Sequence, residues 1–490
     1  MVTAILFVVA VLLAFGAVGS ALIISRSAKL WAGRMFQALM WMLVLASAGG
    51  IILTGRTLRV GEMGLQVESG MGLGSTLSAK LLLALAIGLA VALCLAFATR
   101  AWWRQEPTDR FAARGLAQPL DVFTALLAFY LAFSLVPLAF APAYYFHASL
   151  IYPFFIFCAL ILWLRYSTVD PVVVVKQTLG VLVLGSLVAA VVLPTLALQP
   201  GYTGLIPGFN QRLWGVTASA NTLGSAALAL FLIEVCEPTR RRWLHVVLLF
   251  SALAAMVLSQ SKAALVIGLV CAALLGTWRW FLATRASAAG RAGRGALLAM
   301  AGLCLLGCVS VGMLWFLLAD PRILGDFARK LESRAVADLA TGTGRVDIWW
   351  FAFKSGLESP IFGHGADFWG PEMRLRTGMT GATHAHNQFL QVFSRSGVIG
   401  LLAYIWLLGL LAVYALRASG PTRGGSLAFL SAFFIRSFVE VPLQPNSVLG
   451  AEFFAFMMLF VYLIDRARRQ LPTSSNVDHL GADVDVPRSA

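Results

Sequence analysis

Charged side chains are scarce in this chain: only 12% of its 490 residues are Asp, Glu, Lys or Arg, and 59% are hydrophobic. Soluble domains carry roughly 25% charged residues, so the composition excludes an ordinary soluble protein. Apolar runs of about 20 residues recur along the chain, and each is long enough to cross a bilayer as a helix. These runs are too long and too uniformly apolar for barrel strands. We therefore predict an all-α polytopic membrane protein.

Cysteine is also rare in this chain. All six cysteines lie in or at the ends of apolar spans, which indicates no extracytoplasmic disulfide framework.

The first apolar run has no basic residue before it. Residues 1–20 contain no Lys or Arg, so they lack the basic start of a cleaved signal peptide. Positive charge follows at Arg26, Lys29 and Arg34. This order predicts an uncleaved first helix with its N-terminus outside.

Loops rich in Lys and Arg alternate with loops that lack this excess, as expected when basic residues stay on the cytoplasmic side. The alternation predicts about 12–13 transmembrane helices, a periplasmic N-terminus and a cytoplasmic C-terminus. It also accounts for the net charge of +15 without a nucleic-acid partner. The predicted helices are 2–24, 35–54, 78–98, 119–140, 145–165, 172–193, 213–235, 243–259, 262–282, 297–318, 398–416, 426–440 and 447–464.

The predicted organisation has four parts, listed here in chain order. Transmembrane helices 1–10 occupy 1–318, a long periplasmic loop with the catalytic motif occupies 319–397, transmembrane helices 11–13 occupy 398–464, and a disordered cytoplasmic tail occupies 465–490. Inside the loop, hydrophobic spacing predicts short amphipathic helices at 322–340 and 345–358, and a third from about Thr383 to Ser396. Gly363, Gly365 and Pro371 predict a break between them.

A few polar residues are unusual in so apolar a chain, and the predicted topology puts all of them at the outer face. They are Arg212, Asn221, Lys262, Arg345, His386, Asn387, Arg436 and Glu440. Arg donates in a fork to phosphate oxygens and Lys acts as a point charge, so the set suits an anionic phosphate headgroup. We expect His386 to open a helix, whose positive end keeps the imidazole neutral. A neutral imidazole can accept a proton from a hydroxyl nucleophile.

Some of these residues also fit structural roles. His384 and His364 fit structural or solvated positions better than catalytic ones. His384 and His386 have the spacing of a zinc-binding pair, but no carboxylate or cysteine cluster accompanies them in the sequence. We therefore expect no metal and no other cofactor. Arg436 and Glu440 are four residues apart, so the two side chains could neutralise each other within one helix.

The order and spacing of these short motifs resemble the O-antigen ligase and polymerase superfamily. The matching pieces are Arg212, Gly215 and 221–224, then 259–263, 343–349, 386–390 and 397–401. The resemblance implies an inverting, metal-independent glycosyltransferase of the bacterial inner membrane. Such enzymes take a glycan from an undecaprenyl-diphosphate carrier at the periplasmic face and pass it to an acceptor hydroxyl.

Carried onto this chain, the resemblance implies a role for each site residue. His386 would activate the acceptor, while Arg212 and Arg345 would bind the diphosphate and stabilise it as the leaving group. Lys262 is grouped with these two cations. The supporting residues are Asn387, Asn221, His384, Arg436 and Glu440.

Lys262 is the one departure, because O-antigen ligases often have Arg at this position. The pair Ser261-Lys262 looks more like the exopolysaccharide polymerase branch, so we favour a polymerase over a ligase that transfers glycan to lipid A-core. The expected partners are the carrier-linked glycan, a glycan or lipid A-core acceptor, the bilayer and a chain-length regulator. A lipid-linked oligosaccharide transporter or flippase is the alternative of another class. Transporters place charged groups near the bilayer midplane, where these spans have almost none.

Overall fold

The computed structural model describes a mostly helical chain. The described residues are 28–53, 55–58, 85, 87–92, 119–140, 156, 159, 170–202, 210–287, 345–370, 373–374, 382–443 and 451–468. The predicted helices 2–24, 297–318 and 322–340, Pro371 and the tail beyond 468 lie outside these residues.

The helices are numbered here in chain order. They are α1 (Ala28–Leu53), α2 (Pro119–Tyr130), α3 (Val136–Phe140), α4 (Pro171–Val192), α5 (Pro194–Ala197), α6 (Ala220–Cys236), α7 (Arg242–Leu258), α8 (Lys262–Ser287), α9 (Arg345–Glu358), α10 (Gln388–Arg417), α11 (Gly425–Val439) and α12 (Ala451–Arg468). A π-helical turn (Leu131–Leu135) joins α2 to α3, and Ala366–Trp369 form a 3₁₀ turn. The helices predicted at 119–140, 172–193, 243–259, 262–282, 345–358 and 426–440 are confirmed with small shifts of their ends.

Two short strands, which were not predicted, accompany the helices of this mostly helical structure. β1 (Leu198–Pro200) pairs antiparallel with β2 (Gln211–Leu213), and Gln199 lies opposite Arg212. The helix predicted to begin at 213 therefore begins only at Ala220, where the Ser219 side chain accepts a hydrogen bond from the Thr222 backbone N–H. Gly215 allows the turn between them, because its φ of +58° favours glycine.

Helix α6 lies at the centre of the described helices. It packs against α4, α7, α8, α11 and α12, while α10 packs against α2, α9, α11 and α12. Three described helices, Pro171–Val192, Lys262–Trp280 and Gln388–Arg417, are long and apolar enough to cross a membrane. Leu269 and Leu402 on two of these helices are 73% and 60% exposed, as expected for side chains that face lipid. The protein is therefore a helical membrane protein.

The predicted boundary at 397 corresponds to a sharp kink. Helix α10 begins at Gln388, not near Thr383, and Gly397 has φ 61° and ψ −157° inside it. Only glycine adopts this conformation readily. A Cβ at Gly397 would also lie 2.3 Å from the Ile361 carbonyl oxygen, so the backbone of the preceding loop packs directly against the kink.

Candidate functional site

The Glu440 carboxylate is the centre of the polar cluster. Glu440 follows the last residue of α11 and is 4% exposed. Its Oε1 accepts hydrogen bonds from Asn221 Nδ2 at 3.0 Å and Arg345 Nη2 at 3.2 Å. Its Oε2 lies 3.0 Å from His386 Nδ1 and 3.3 Å from His384 Nε2. Donors from three distant parts of the chain therefore converge on one buried carboxylate, and these donors favour its charged form.

Arg436 and Glu440 were predicted to neutralise each other within one helix; their charges do interact, but Glu440 lies beyond the end of the helix that carries Arg436. Arg436 lies in the last turn of α11, whereas Glu440 has extended backbone beyond the helix end. Arg436 is 1% exposed, and its Nη2 donates to the Asn221 backbone oxygen at 3.3 Å. Arg436 therefore adds positive charge beside the cluster and fixes the start of α6, while Glu440 is shared by other groups.

Arg212 and Arg345 are held in similar ways. Arg212 Nε donates to the Ser259 carbonyl at 2.8 Å, and Arg345 Nη1 donates to the Val439 carbonyl at 2.9 Å. Both carbonyls lie at the C-terminal ends of helices, α7 and α11 respectively. Such carbonyls lack partners within their helices and lie at the negative end of the helix dipole. Each guanidinium is thus anchored by a rigid helix end. In addition, the centroid of the Tyr202 ring lies 4.7 Å from Arg212 Cζ.

The strand that carries Arg212 is braced by Arg56, a residue that no motif in the sequence singled out. Arg56 is 5% exposed and donates to the backbone oxygens of Leu196, Gly215 and Thr217. Trp214 Nε1 adds a 2.8 Å hydrogen bond to Gln199 Oε1. These bonds hold both strands and the start of α6 together, so they fix the backbone from which Arg212 projects.

The two histidines differ in how their ring nitrogens are used. His384 Nε2 points to Glu440, and its Nδ1 lies 3.0 Å from the Thr383 hydroxyl, so both nitrogens have partners. His386 uses only Nδ1, toward Glu440. Because a carboxylate accepts, His386 Nδ1 carries the proton and Nε2 is left with a lone pair. No other residue in the described part of the chain bonds that nitrogen.

Burial lowers the pKa of the His386 imidazole below its ordinary value, and the neighbouring His384 lowers it further. The hydrogen bond and charge of Glu440 oppose this, and Arg345 adds to the lowering. The net shift is downward, so the imidazole is neutral near pH 7. The sequence predicted a neutral ring for a different reason. His386 does not open a helix: it precedes the cap residue Asn387, and its φ of 49° lies in the left-handed region. Such a conformation is strained for a residue other than glycine and is common at functional sites.

Asn387 and Gln388 connect the histidine segment to the segment that carries Glu440. Asn387 caps α10 through its side-chain oxygen and donates to the Phe438 carbonyl at 3.2 Å. Gln388 is fully buried and exchanges two hydrogen bonds with the Leu443 backbone, at 3.0 and 2.8 Å. Residues on both sides of Glu440 are therefore tied to the start of α10.

Lys262 is the first residue of α8 and is half-buried. The turn before it is docked on β2, because Gln260 Nε2 donates to the Gln211 carbonyl at 2.8 Å. Gln260 has a left-handed φ of 47° and is 1% exposed. Gln260 and Gln388 belong to motifs already noted in the sequence, but their roles as braces depend on partners far along the chain.

A metal ion fits this cluster poorly. Glu440 does supply the carboxylate that the sequence did not place beside His384 and His386, and the three ligand atoms lie within 4.8 Å of one another. However, Arg345 and Asn221 already donate to the same carboxylate, and Arg436 lies beside it. A divalent cation would compete with these donors and be repelled by the arginines. The surplus of positive groups suits an anion instead.

The structure thus places arginines and histidines around one buried carboxylate, Glu440, in a helical membrane protein. Residues 246–405 match the family model described as O-antigen ligase. This match covers about a third of the chain and supports a relationship to the O-antigen ligase-like superfamily. The match contains Lys262, Arg345, His384, His386 and Asn387. It does not reach Arg212, Asn221, Arg436 or Glu440. A comparison with curated proteins gives no match.

Proposed function

We propose that this protein is a membrane glycosyltransferase that transfers a glycan from an undecaprenyl-diphosphate carrier to an acceptor hydroxyl. The family match supports transfer of a lipid-linked glycan. The observation that carries the proposal is that Glu440 contacts both a neutral histidine, whose Nε2 is bonded by no described residue, and a guanidinium suited to phosphate. A base for an acceptor and a cation for a leaving group thus lie side by side.

The chemistry is a single displacement at the anomeric carbon of the donor sugar. The acceptor oxygen forms a bond to this carbon while the bond to the diphosphate oxygen breaks, so the configuration inverts. His386 Nε2 takes the proton of the acceptor hydroxyl. Glu440, bonded to Nδ1, holds the ring in the required tautomer and stabilises the imidazolium that forms.

The diphosphate leaves with the electron pair of the broken bond. Arg212 and Arg345 stabilise this charge with guanidinium groups that hydrogen bonds to backbone carbonyls hold in place. Because the cations neutralise the leaving group, no second carboxylic acid is needed, and hydrolysis by two carboxylates is disfavoured. Lys262 is proposed as the third cation of this set.

The proposed setting is the periplasmic face of a bacterial inner membrane, with the N-terminus periplasmic and the C-terminus cytoplasmic. Ser261-Lys262 favours a polysaccharide polymerase, whereas the description of the family model favours an O-antigen ligase. The further partners proposed are a growing glycan or lipid A-core as acceptor and a chain-length regulator.

A glycan profile of a deletion strain tests the function and separates the two branches. Polymer, lipopolysaccharide and carrier-linked glycan are extracted and compared on sized gels. Loss of long chains with single repeat units retained identifies a polymerase. Long chains that accumulate on the carrier, with none on lipid A, identify a ligase. An unchanged profile contradicts both.

His386→Ala tests the base in the same strain. Loss of a general base is expected to reduce transfer about 10²–10⁴-fold, with the protein still present in the membrane. The matched control is His364→Gln, because His364 lies outside the cluster, with its Nε2 2.8 Å from the Ser355 carbonyl. A His386→Ala variant that makes normal glycan would disprove the assignment of the base.

A further inference from the structure

Asn221 links the two arginines that are proposed to bind the diphosphate. Its Oδ1 accepts from Arg212 Nη2 at 2.8 Å, and its Nδ2 donates to Glu440 Oε1 at 3.0 Å. The same Glu440 oxygen accepts from Arg345 Nη2 at 3.2 Å. A continuous chain of three hydrogen bonds therefore joins one guanidinium to the other through a single amide and a single carboxylate oxygen.

We propose that Asn221 is a specificity-determining residue that spaces Arg212 and Arg345 so that each faces one phosphoryl group, and so selects a diphosphate over a monophosphate. The proposal rests on the proposed function, because it assigns the two arginines to the leaving group. It adds the feature that distinguishes a two-phosphate ligand from a one-phosphate ligand.

The amide is not needed for helix formation, although it lies in the first turn of α6. Ser219 already caps this helix by accepting from the Thr222 N–H. The Asn221 backbone oxygen has its own donors, Arg436 Nη2 and the Ser225 hydroxyl. The Asn221 side chain is therefore used for the bridge, and a capping role does not explain it.

Among short side chains, a primary amide fits the two ends of the bridge best. The Arg212 end requires an acceptor and the Glu440 end requires a donor, and asparagine offers both in one rigid plane. Aspartate would place a second carboxylate against Glu440, and like charges at hydrogen-bond distance repel. Alanine would leave Arg212 with Ser259 as its remaining hydrogen-bond partner among the described residues.

The bridge leaves part of each guanidinium available. Arg212 uses Nε and Nη2, and Arg345 uses Nη1 and Nη2. Within the described residues no hydrogen bond is made by Arg212 Nη1 or Arg345 Nε. A guanidinium carries five N–H groups in a fixed plane. Hydrogen bonds to some of these N–H groups therefore fix the direction of the remaining ones. Two arginines oriented in this way favour a ligand with two anionic groups, whereas one phosphate needs only one of them.

Binding of inorganic pyrophosphate and inorganic phosphate to the purified full-length protein tests the proposal. Both affinities are measured by titration calorimetry at one pH and one ionic strength, because salt screens these charges. The variants are Asn221→Ala and, as a second substitution that is short but polar, Asn221→Ser. Ser225→Ala is the matched control, since it removes a 3.1 Å hydrogen bond to the Asn221 backbone and leaves the amide intact.

The wild-type protein is expected to bind pyrophosphate more tightly than phosphate. Either Asn221 variant should lose about tenfold in pyrophosphate affinity, which is the scale of one hydrogen bond to a charged group. Phosphate affinity should change about twofold or less, and this retained binding shows that the site is folded. Ser225→Ala should keep the wild-type preference.

Each other result has a distinct meaning. An equal fall in both affinities, or the same effect from Ser225→Ala, makes Asn221 merely structural and overturns the proposal. An unchanged preference for pyrophosphate in both Asn221 variants overturns it as well. If the wild-type protein shows no preference for pyrophosphate, or if Arg212→Ala and Arg345→Ala bind it normally, the proposed function fails at the arginines themselves.

Discussion

Glu440→Gln is the most informative single substitution, because the structure dictates how the new amide must turn. The carboxylate oxygen Oε1 faces two donors, Asn221 Nδ2 and Arg345 Nη2. The amide oxygen of Gln must take this position, since an NH₂ group there would meet only donors. The amide nitrogen then faces His386 Nδ1, which must accept instead of donate. The proton moves to Nε2, and the nitrogen that should take the acceptor proton is no longer basic.

The size of the effect follows from this change of tautomer. Removing general-base catalysis costs about 10²–10⁴-fold in rate, and a wrong histidine tautomer in a comparable triad costs about 10⁴-fold. We therefore expect kcat to fall about 10³-fold or more. Glu440→Asp keeps the charge and both acceptors on a shorter side chain, so its loss should be much smaller. The diphosphate affinity should fall less than kcat in Glu440→Gln, because neither arginine is removed.

A reconstituted transfer assay with a lipid-diphosphate donor measures both parameters. Glu358→Gln serves as the control, since Glu358 is an exposed carboxylate at the end of α9. A Glu440→Gln variant with kcat within about tenfold of wild type, a change too small for loss of a general base, would refute the tautomer argument. A variant that loses only donor affinity would instead assign Glu440 to the phosphate site.

Three further substitutions test other parts of the structure. Arg345→Gln removes a charge that lowers the pKa of His386, so the acid limb of the pH–rate profile should move to higher pH. We also expect kcat/KM to fall about 10²-fold. An acid limb that does not move would contradict the electrostatic coupling between Arg345 and His386. Asn387→Ala removes the cap of α10 and should lower the free energy of unfolding by about 1–2 kcal/mol in a denaturation series, whereas full stability contradicts the cap. Gly397→Ala should lower the free energy of unfolding by about 2 kcal/mol or more, because the new Cβ would overlap the Ile361 carbonyl. Gly409→Ala is the control, since Gly409 has open space around it, and should leave the free energy of unfolding unchanged.

Local sequence patterns predicted most described helices, because hydrophobic runs and loop charges are properties of neighbouring residues. The same patterns missed β1 and β2. The strand 211–213 continues directly into a hydrophobic segment, so its apolar residues were counted with the helix that follows. The strand pairing depends on residues 198–200 and on Arg56, which is more than 140 positions before them, and neither is visible in a local window.

The candidate site was predicted by residue type but not by arrangement. Arg212, Arg345 and His386 were chosen because cations and a histidine are unusual in apolar surroundings, and the structure brings them near one carboxylate. The importance of Glu440 could not be predicted, since its four-residue spacing from Arg436 suggested a local ion pair. Because α11 ends at Val439, Glu440 also reaches residues more than fifty positions away, besides the nearby charge of Arg436.

The late position of Glu440 in the chain determines when, during synthesis, the polar cluster can be completed. Every other member of the cluster precedes Glu440 in the chain, from Arg212 to Arg436. A ribosome therefore synthesises the cations and both histidines before the carboxylate that sets the histidine tautomer. A chain truncated before α11 keeps His386 but lacks its orienting partner. The proposed activity is thus expected to arise only after α11 has been synthesised and packed, so a partly made chain would not discharge the proposed lipid carrier.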